Sequence, residues 1–416
     1  MSNHSAVPET RILKLTDREI AMYLDIESIS TITWYEGSAP IAFIQARVGE
    51  ILALNPWLAG RFAKVHGRVN VMYSTSAAAP ELPYFNVLKT DEVGEQAPKS
   101  RRNKPSPADK LDRIFAPYCV KTARQSVNKD EPLFRVTVVQ RAPDRFALCM
   151  SLSHAIADGV TYYALLRMLS CDQRPRALIA ERDLSKVDEI LKHTGEDEKF
   201  LTSMGFVLNL IGTLMFLKKG SLFNRKLRPS GIAEQKETVQ RQPRNGPVGS
   251  FVSTNDILTS LFFRKTNCDL GLMAINFRDR IGVSDDYVGN YESVLFYQRG
   301  DYETPELIRA SLAEGRYRRA ITGKILPSFI KRLTASFAAV SNVTSLYYPV
   351  AFEGCDELLH HFYWIPHQMP MHYGVLYKMN KNTPALLTME SWRTVDMDKL
   401  HEEGVVGDEI DIAQYC

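Results

Sequence analysis

The hydrophobic pattern is clearest between residues 133 and 169. Residues 133–139 alternate apolar with polar side chains and are rich in valine. Ala142-Pro143-Asp144 has turn chemistry, and residues 146–153 are again apolar and extended. This pairing predicts an antiparallel hairpin. The second strand runs into Ser153-His154-Ala155-Ile156-Ala157-Asp158-Gly159, after which residues 161–169 take up a helical spacing. Upstream, residues 40–54 place Ile41, Ile44, Val48, Ile51 and Leu52 on one helical face, and Pro56 stops that helix. Residues 69–73 predict a strand, and residues 181–199 predict a charged, exposed helix.

The second half opens on Ser253-Thr254-Asn255-Asp256, an N-cap with a first-turn acid, ahead of Ile257, Leu258, Leu261, Phe262 and Phe263. Strands are expected at 270–276, near 293–297, and at 347–352, 359–365, 374–379 and 384–390. Helices are expected at 305–320 and 329–339. Strands and helices thus mix in both halves, which predicts a mixed α/β fold and excludes an all-α or all-β one. A chain of 416 residues exceeds one ordinary core. The expected division is an N-terminal lobe over 1–217, a polar crossover over 218–250 and a C-terminal lobe over 251–416.

Composition narrows the class. The chain is 45% apolar and 24% charged with a net charge of +3, as a soluble globular protein is, and gives no reason to expect nucleic acid as a partner. The basic run 99–104 lies in a polar stretch, 90–109, that reads as an exposed loop. The six cysteines form no C-x-x-C pair, and residues 1–10 lack an apolar signal core, so a cytoplasmic protein with free thiols is expected. Residues 202–217 carry no charge and fall short of the roughly 20 apolar residues a membrane span needs. Three readings of this segment stay open: a buried or lid helix, an interfacial helix giving peripheral membrane contact through 204–217, and a span. The late histidines His360, His361, His367 and His372 lack metal-ligand spacing, and no metal is expected.

The chemistry centres on His154. Imidazole is the side chain that exchanges protons near neutrality, and a strand end can present it as a general base to a hydroxyl or amine. Asp158 either orients that ring or braces the loop by pairing with an arginine, for which Arg278 is the first candidate and Arg280 the second.

Several segments together resemble the coenzyme-A-dependent acyltransferase superfamily. This superfamily includes the BAHD acyltransferases, chloramphenicol acetyltransferase, peptide-synthetase condensation domains and wax-ester synthases. His154 to Gly159 matches H-x-x-x-D-G, and the segment from Asn55 to Arg61 is similar to P-x-LAGR. Asn276-Phe277-Arg278 and Tyr287-Val288-Gly289-Asn290 are similar to the N-x-R and Y-x-GN stretches of the BAHD and trichothecene-acetyltransferase branch. The DFGWG of the BAHD branch is missing, the nearest segment being Met371-His372-Tyr373-Gly374-Val375. Ser341-Asn342-Val343 is instead similar to the SN stretch of wax-ester synthases and condensation domains, and Ser153 stands where condensation domains have a first histidine.

The resemblance implies two chloramphenicol-acetyltransferase-like lobes, each a mixed sheet flanked by helices, with His154 midway along an interfacial tunnel. It implies an enzyme, a monomer, that needs no cofactor and uses acyl-CoA as co-substrate. The second substrate is a small, rather hydrophobic alcohol or amine. His154 and Asp158 are then the catalytic pair, with Arg278 and Asn276 as structural support. Gly159, Ser341, Asn342 and Thr344 contact substrate, and the last three are candidate oxyanion donors. The competing expectations are a condensation-type enzyme fed by a carrier protein and a catalytically silent scaffold of the same fold.

Overall fold

The computed structural model describes residues 9–75, 83–89, 107–216, 221–241, 251–315, 317–323, 325, 327–363, 371–390 and 401–415. The basic run 99–104, the histidine at 367 and the cysteine at 416 lie outside these. In chain order the first-half strands are β1 (Thr10–Lys14), β2 (Ile29–Glu36), β3 (Arg61–Val65), β4 (Arg68–Ser74), β5 (Phe85–Lys89), β6 (Phe134–Ala142) and β7 (Arg145–Leu152). The rest are β8 (Ser221–Leu227), β9 (Leu270–Asn276), β10 (Glu292–Gln298), β11 (Phe337–Asn342), β12 (Asp356–Tyr363), β13 (His372–Lys378), β14 (Pro384–Glu390) and β15 (Val406–Glu409).

Two mixed sheets carry the molecule. One has the order β12-β2-β7-β6-β5, antiparallel except for the parallel β5–β6 pair. The other runs β10-β9-β11-β13-β14-β8-β15, with β11 parallel to both its neighbours. A small antiparallel sheet, β1-β4-β3, completes the set. The hairpin β6–β7 forms as its alternation predicts. Every residue of β7 after Arg145 is buried, because the sheet is covered on both faces. The sheets meet where the His360 N–H of β12 donates to the Met379 carbonyl just past β13, at 2.8 Å.

The sheets do not divide along the chain. β12 comes from the second half yet forms an edge of the first-half sheet. Within the stretch expected to be a crossover, residues 221–241 form β8 and a helix, Pro229–Arg241, and β8 pairs between β14 and β15. Its polar residues hid it: Asn224 and Arg225 are buried, with Asn224 Oδ1 accepting the Tyr377 hydroxyl at 3.0 Å.

Other expectations need correcting. The helix expected at 329–339 stops at Thr334, and the following Phe337–Asn342 is β11, a central strand. A short apolar run buried on both faces has no period to separate strand from helix. The helix expected at 305–320 ends at Leu312, and 347–352 forms no ladder strand. The charged helix, Leu184–Leu201, is not simply exposed. Asp197 and Glu198 are buried in pairs with Arg319 at 2.9 Å and Arg18 at 2.8 Å.

Candidate active site

His154 follows β7 by two residues, in the turn between that strand and the helix Gly159–Arg167. Asp158 is the N-cap of the helix, its Oδ1 accepting the Thr161 N–H at 3.1 Å. Its other oxygen accepts the Tyr291 N–H at 3.1 Å and pairs with Arg278. Arg278 has no exposed surface. It also donates to the carbonyls of Tyr287 (2.9 Å) and Gly289 (3.2 Å), and lies over the Tyr291 ring. The carboxylate therefore faces the second-half arginine, and the bracing geometry is the one present. Arg280 turns elsewhere, toward the Tyr317 hydroxyl.

The loop carrying His154 is fixed from behind. The His154 carbonyl accepts the Asn290 amide at 3.0 Å, and the Ile156 carbonyl accepts Arg182 at 2.8 Å. Arg182 in turn is paired with buried Glu19 at 3.0 Å. Gly289 has φ +136°, and a Cβ there would stand 3.3 Å from the Arg182 guanidinium, so this glycine is a backbone requirement.

A cavity open to solvent collects walls from both halves of the chain. His154, Asp158, Gly159, Asn276, Ser341 and Asn342 all border it, among apolar neighbours that include Ile29, Val160, Val343, Leu346, Phe362 and Val375. A Cβ on Gly159 would press on Leu346 at 3.2 Å. Asn276 sits at the end of β9 and accepts the Arg278 N–H at 3.1 Å. Asn342 ends β11, donates to the Asn255 side-chain oxygen at 3.0 Å, and keeps its second amide hydrogen uncommitted among the described residues. Thr344 does not border the cavity. Its hydroxyl and N–H both donate to Asn342 Oδ1, at 2.7 and 3.0 Å, so its place is to orient that amide.

Glu292 is marked by no motif of the sequence. Its carboxylate also borders the cavity, with Oε1 3.7 Å from His154 Nε2. Burial pushes the Glu292 carboxyl above its usual range. The Tyr23 ring lies 5.1 Å from the His154 ring, and its hydroxyl reaches Glu292 Oε1 at 3.4 Å. Nδ1 of His154 is buried without a hydrogen-bond partner among the described residues, so Nε2 is the nitrogen available to a substrate. A glutamate opening an apolar strand reads as an ordinary strand end. His360 and His361 are packing residues. Burial lowers His360 and His361 to about 3, and His360 bonds Thr33 (2.9 Å) and Tyr163 (3.1 Å).

No protein-family model matches the sequence, and none of the curated proteins matches it. Solved structures do. TRI101 of F. graminearum, in complex with coenzyme A and T-2 mycotoxin, superposes with a TM-score of 0.63 at 13% identity, covering 95% of this chain and 99% of that one. F. sporotrichioides TRI101 with coenzyme A and T-2 gives 0.62 at 14%, over 96% and 99%. The first condensation domain of the CDA synthetase gives 0.55 at 14%, over 91% and 90%. The chain has the fold of the CoA-dependent acyltransferases. It is thus a mixed α/β molecule of the two-lobed type, as the resemblance implied. Within this fold His154 stands where walls from the two halves converge.

Proposed function

We propose that this protein transfers an acyl group from a coenzyme A thioester to a hydroxyl or amine of a small, largely apolar acceptor. The observation that carries the reading is the placement of His154 Nε2 in a mostly apolar cavity that both halves wall. A thioester is already activated, so the protein has three tasks: to hold two substrates in line, to take a proton from the acceptor and to stabilise the oxyanion. Alignment supplies about 7–11 kcal/mol of the barrier, and a positioned base about 10²–10⁴-fold in rate.

His154, with its proton on Nδ1, takes the acceptor proton at Nε2 as the acceptor attacks the thioester carbon. The tetrahedral intermediate then loses the thiolate, and His154 returns the proton to sulfur. Asn342, through its uncommitted amide hydrogen, and Ser341 are the oxyanion donors in this reading. Asp158 acts through Arg278 by holding the loop, and Gly159 leaves room at the wall.

A peripheral contact with membrane through the helix Met204–Phe216 belongs to the same proposal. Met204, Leu208, Ile211 and Met215 form an exposed stripe at helical spacing, and Ile321, Ile325, Phe329 and Ile330 are exposed too, the last two on a helix packed against it. Lys331 and Arg332 follow them, which suits an anionic bilayer surface.

The experiment is thiol release. The full chain is incubated with acetyl- to long-chain acyl-CoAs and a panel of alkyl alcohols and amines, reading free thiol and acylated product. Release with at least one pair is expected, and His154→Ala loses about 10²–10⁴-fold of it while keeping its circular dichroism. Silence of the wild type with every pair contradicts the reading, and an unimpaired His154→Ala removes the base.

A further inference from the structure

Resting on that reading, we infer that the acceptor is a primary amine bound as its ammonium, and that Glu292 is the residue that selects it. His154 Nε2 and Glu292 Oε1 are 3.7 Å apart, too far to share one hydrogen bond directly. Both are acceptors when the base is ready to act: the imidazole nitrogen with its lone pair and the ionised carboxylate. A donor seated between them must satisfy both. A hydroxyl has one hydrogen and leaves Glu292 Oε1 with only the long Tyr23 contact of 3.4 Å; an ammonium has three hydrogens and serves both. Leaving a buried polar group unpaired is how a site rejects a near-isostere.

The rest of the wall agrees. Among the described residues no lysine or arginine pairs with the Glu292 carboxylate, and its neighbours there are His154 and the Tyr23 hydroxyl. Arg18, the nearby cation, is committed to Glu198 and to the backbone carbonyls of Asn290 and Glu292. The fixed cations nearest that carboxylate, Arg18 and Arg278, act on it at a distance without bonding it, which leaves its place in a part-apolar cavity suited to a cationic ligand. The apolar wall, with Ile29, Val160 and Val375, suits a hydrocarbon body on that amine.

The proton count also favours an amine. An ammonium must lose two protons to become an amide. The first passes from nitrogen to the Glu292 carboxylate, leaving a neutral amine and a carboxylic acid. The amine lone pair then forms the C–N bond to the thioester carbon, and the second proton moves to His154 Nε2. The C–S bond breaks, and His154 protonates the departing sulfur. The products are an amide and free coenzyme A, and Glu292 releases its proton to solvent. An alcohol needs only one base.

The test compares isosteric pairs, an alkylamine against the alkanol of equal length, with one acyl-CoA and with wild type, Glu292→Gln and Glu292→Asp. We expect wild type to favour the amine at least 10-fold in kcat/KM. Glu292→Gln should lower amine turnover roughly 10–100-fold and bring the ratio toward one. Preference for the alcohol, turnover of vicinal diols alone, or an amine preference that survives in Glu292→Gln overturns the assignment while thiol release still upholds acyl transfer. No thiol release from wild type with any acceptor is the separate failure of acyl transfer itself, and overturns both. Should Glu292→Gln not fold, the wild-type ratio and Glu292→Asp decide.

Discussion

Arg278 is fully buried, and Asp158 is the carboxylate that pairs with it. Removing one partner of such a pair strands a charge without solvent, at a cost of about 3–5 kcal/mol. Asp158→Ala also removes the cap of the helix Gly159–Arg167 and an acceptor for the Tyr291 N–H. It should therefore lower the melting temperature measured by calorimetry. A variant as stable as wild type would contradict the bracing role. The pairing was legible as a preference for Arg278, because H-x-x-x-D-G and N-x-R were both readable in the chain. Glu292 was not, because its meaning comes from facing His154 across 138 positions of sequence, and no local pattern records that. Thr344 shows the converse. The resemblance of its segment to the SN stretch implied a substrate contact, whereas its hydroxyl and N–H both donate to the Asn342 side-chain oxygen.

At the scale of elements, residues 204–216 illustrate what periodicity conveys. The apolar run was visible, but not the neighbour it leans on. Asn209, a polar residue within that apolar run, donates to the carbonyls of Arg332, Leu333 and Ala335 at 2.8–3.0 Å. It thereby caps the end of the helix Phe329–Thr334. Gly205 lets the two helices close, since a Cβ there would lie 3.1 Å from the Arg332 side chain. The outer stripe is left uncovered by the described residues, and no described helix is long and apolar enough to cross a bilayer. Liposomes containing anionic lipid should carry the protein upward in a flotation gradient, and Ile211→Ser with Met215→Ser should reduce that fraction severalfold. Wild type remaining at the bottom, where a control protein floats, would contradict membrane contact. Strands proved readable where one alternates, as in β6, or where turns bound it, as in β14. They were lost where burial on both faces erased the period, as in β11, or where buried polar side chains imitated a surface loop, as in β8.

At the scale of the molecule, the mixed order of elements was sufficient for fold class, but not for the interlacing of the halves. Sequence spacing alone does not say that β12 returns to the first sheet or that β8 joins the second. The interface is held by buried charge: Arg278 pairs with Asp158, and Arg18 donates to the carbonyls of Asn290 and Glu292, while Arg182 with Glu19 braces the loop from the first half. These contacts stiffen the place where, in the proposed reaction, His154 would meet two ligands, and stiffness there serves alignment. The proposed reaction brings a thioester to that imidazole between the two halves. A crystal structure of the full chain with an unreactive thioether analogue of acyl-CoA tests this most directly. We expect the acyl end in the cavity within reach of His154 Nε2, beside Ser341 and Asn342. Coenzyme A bound with its sulfur away from that cavity would contradict the account.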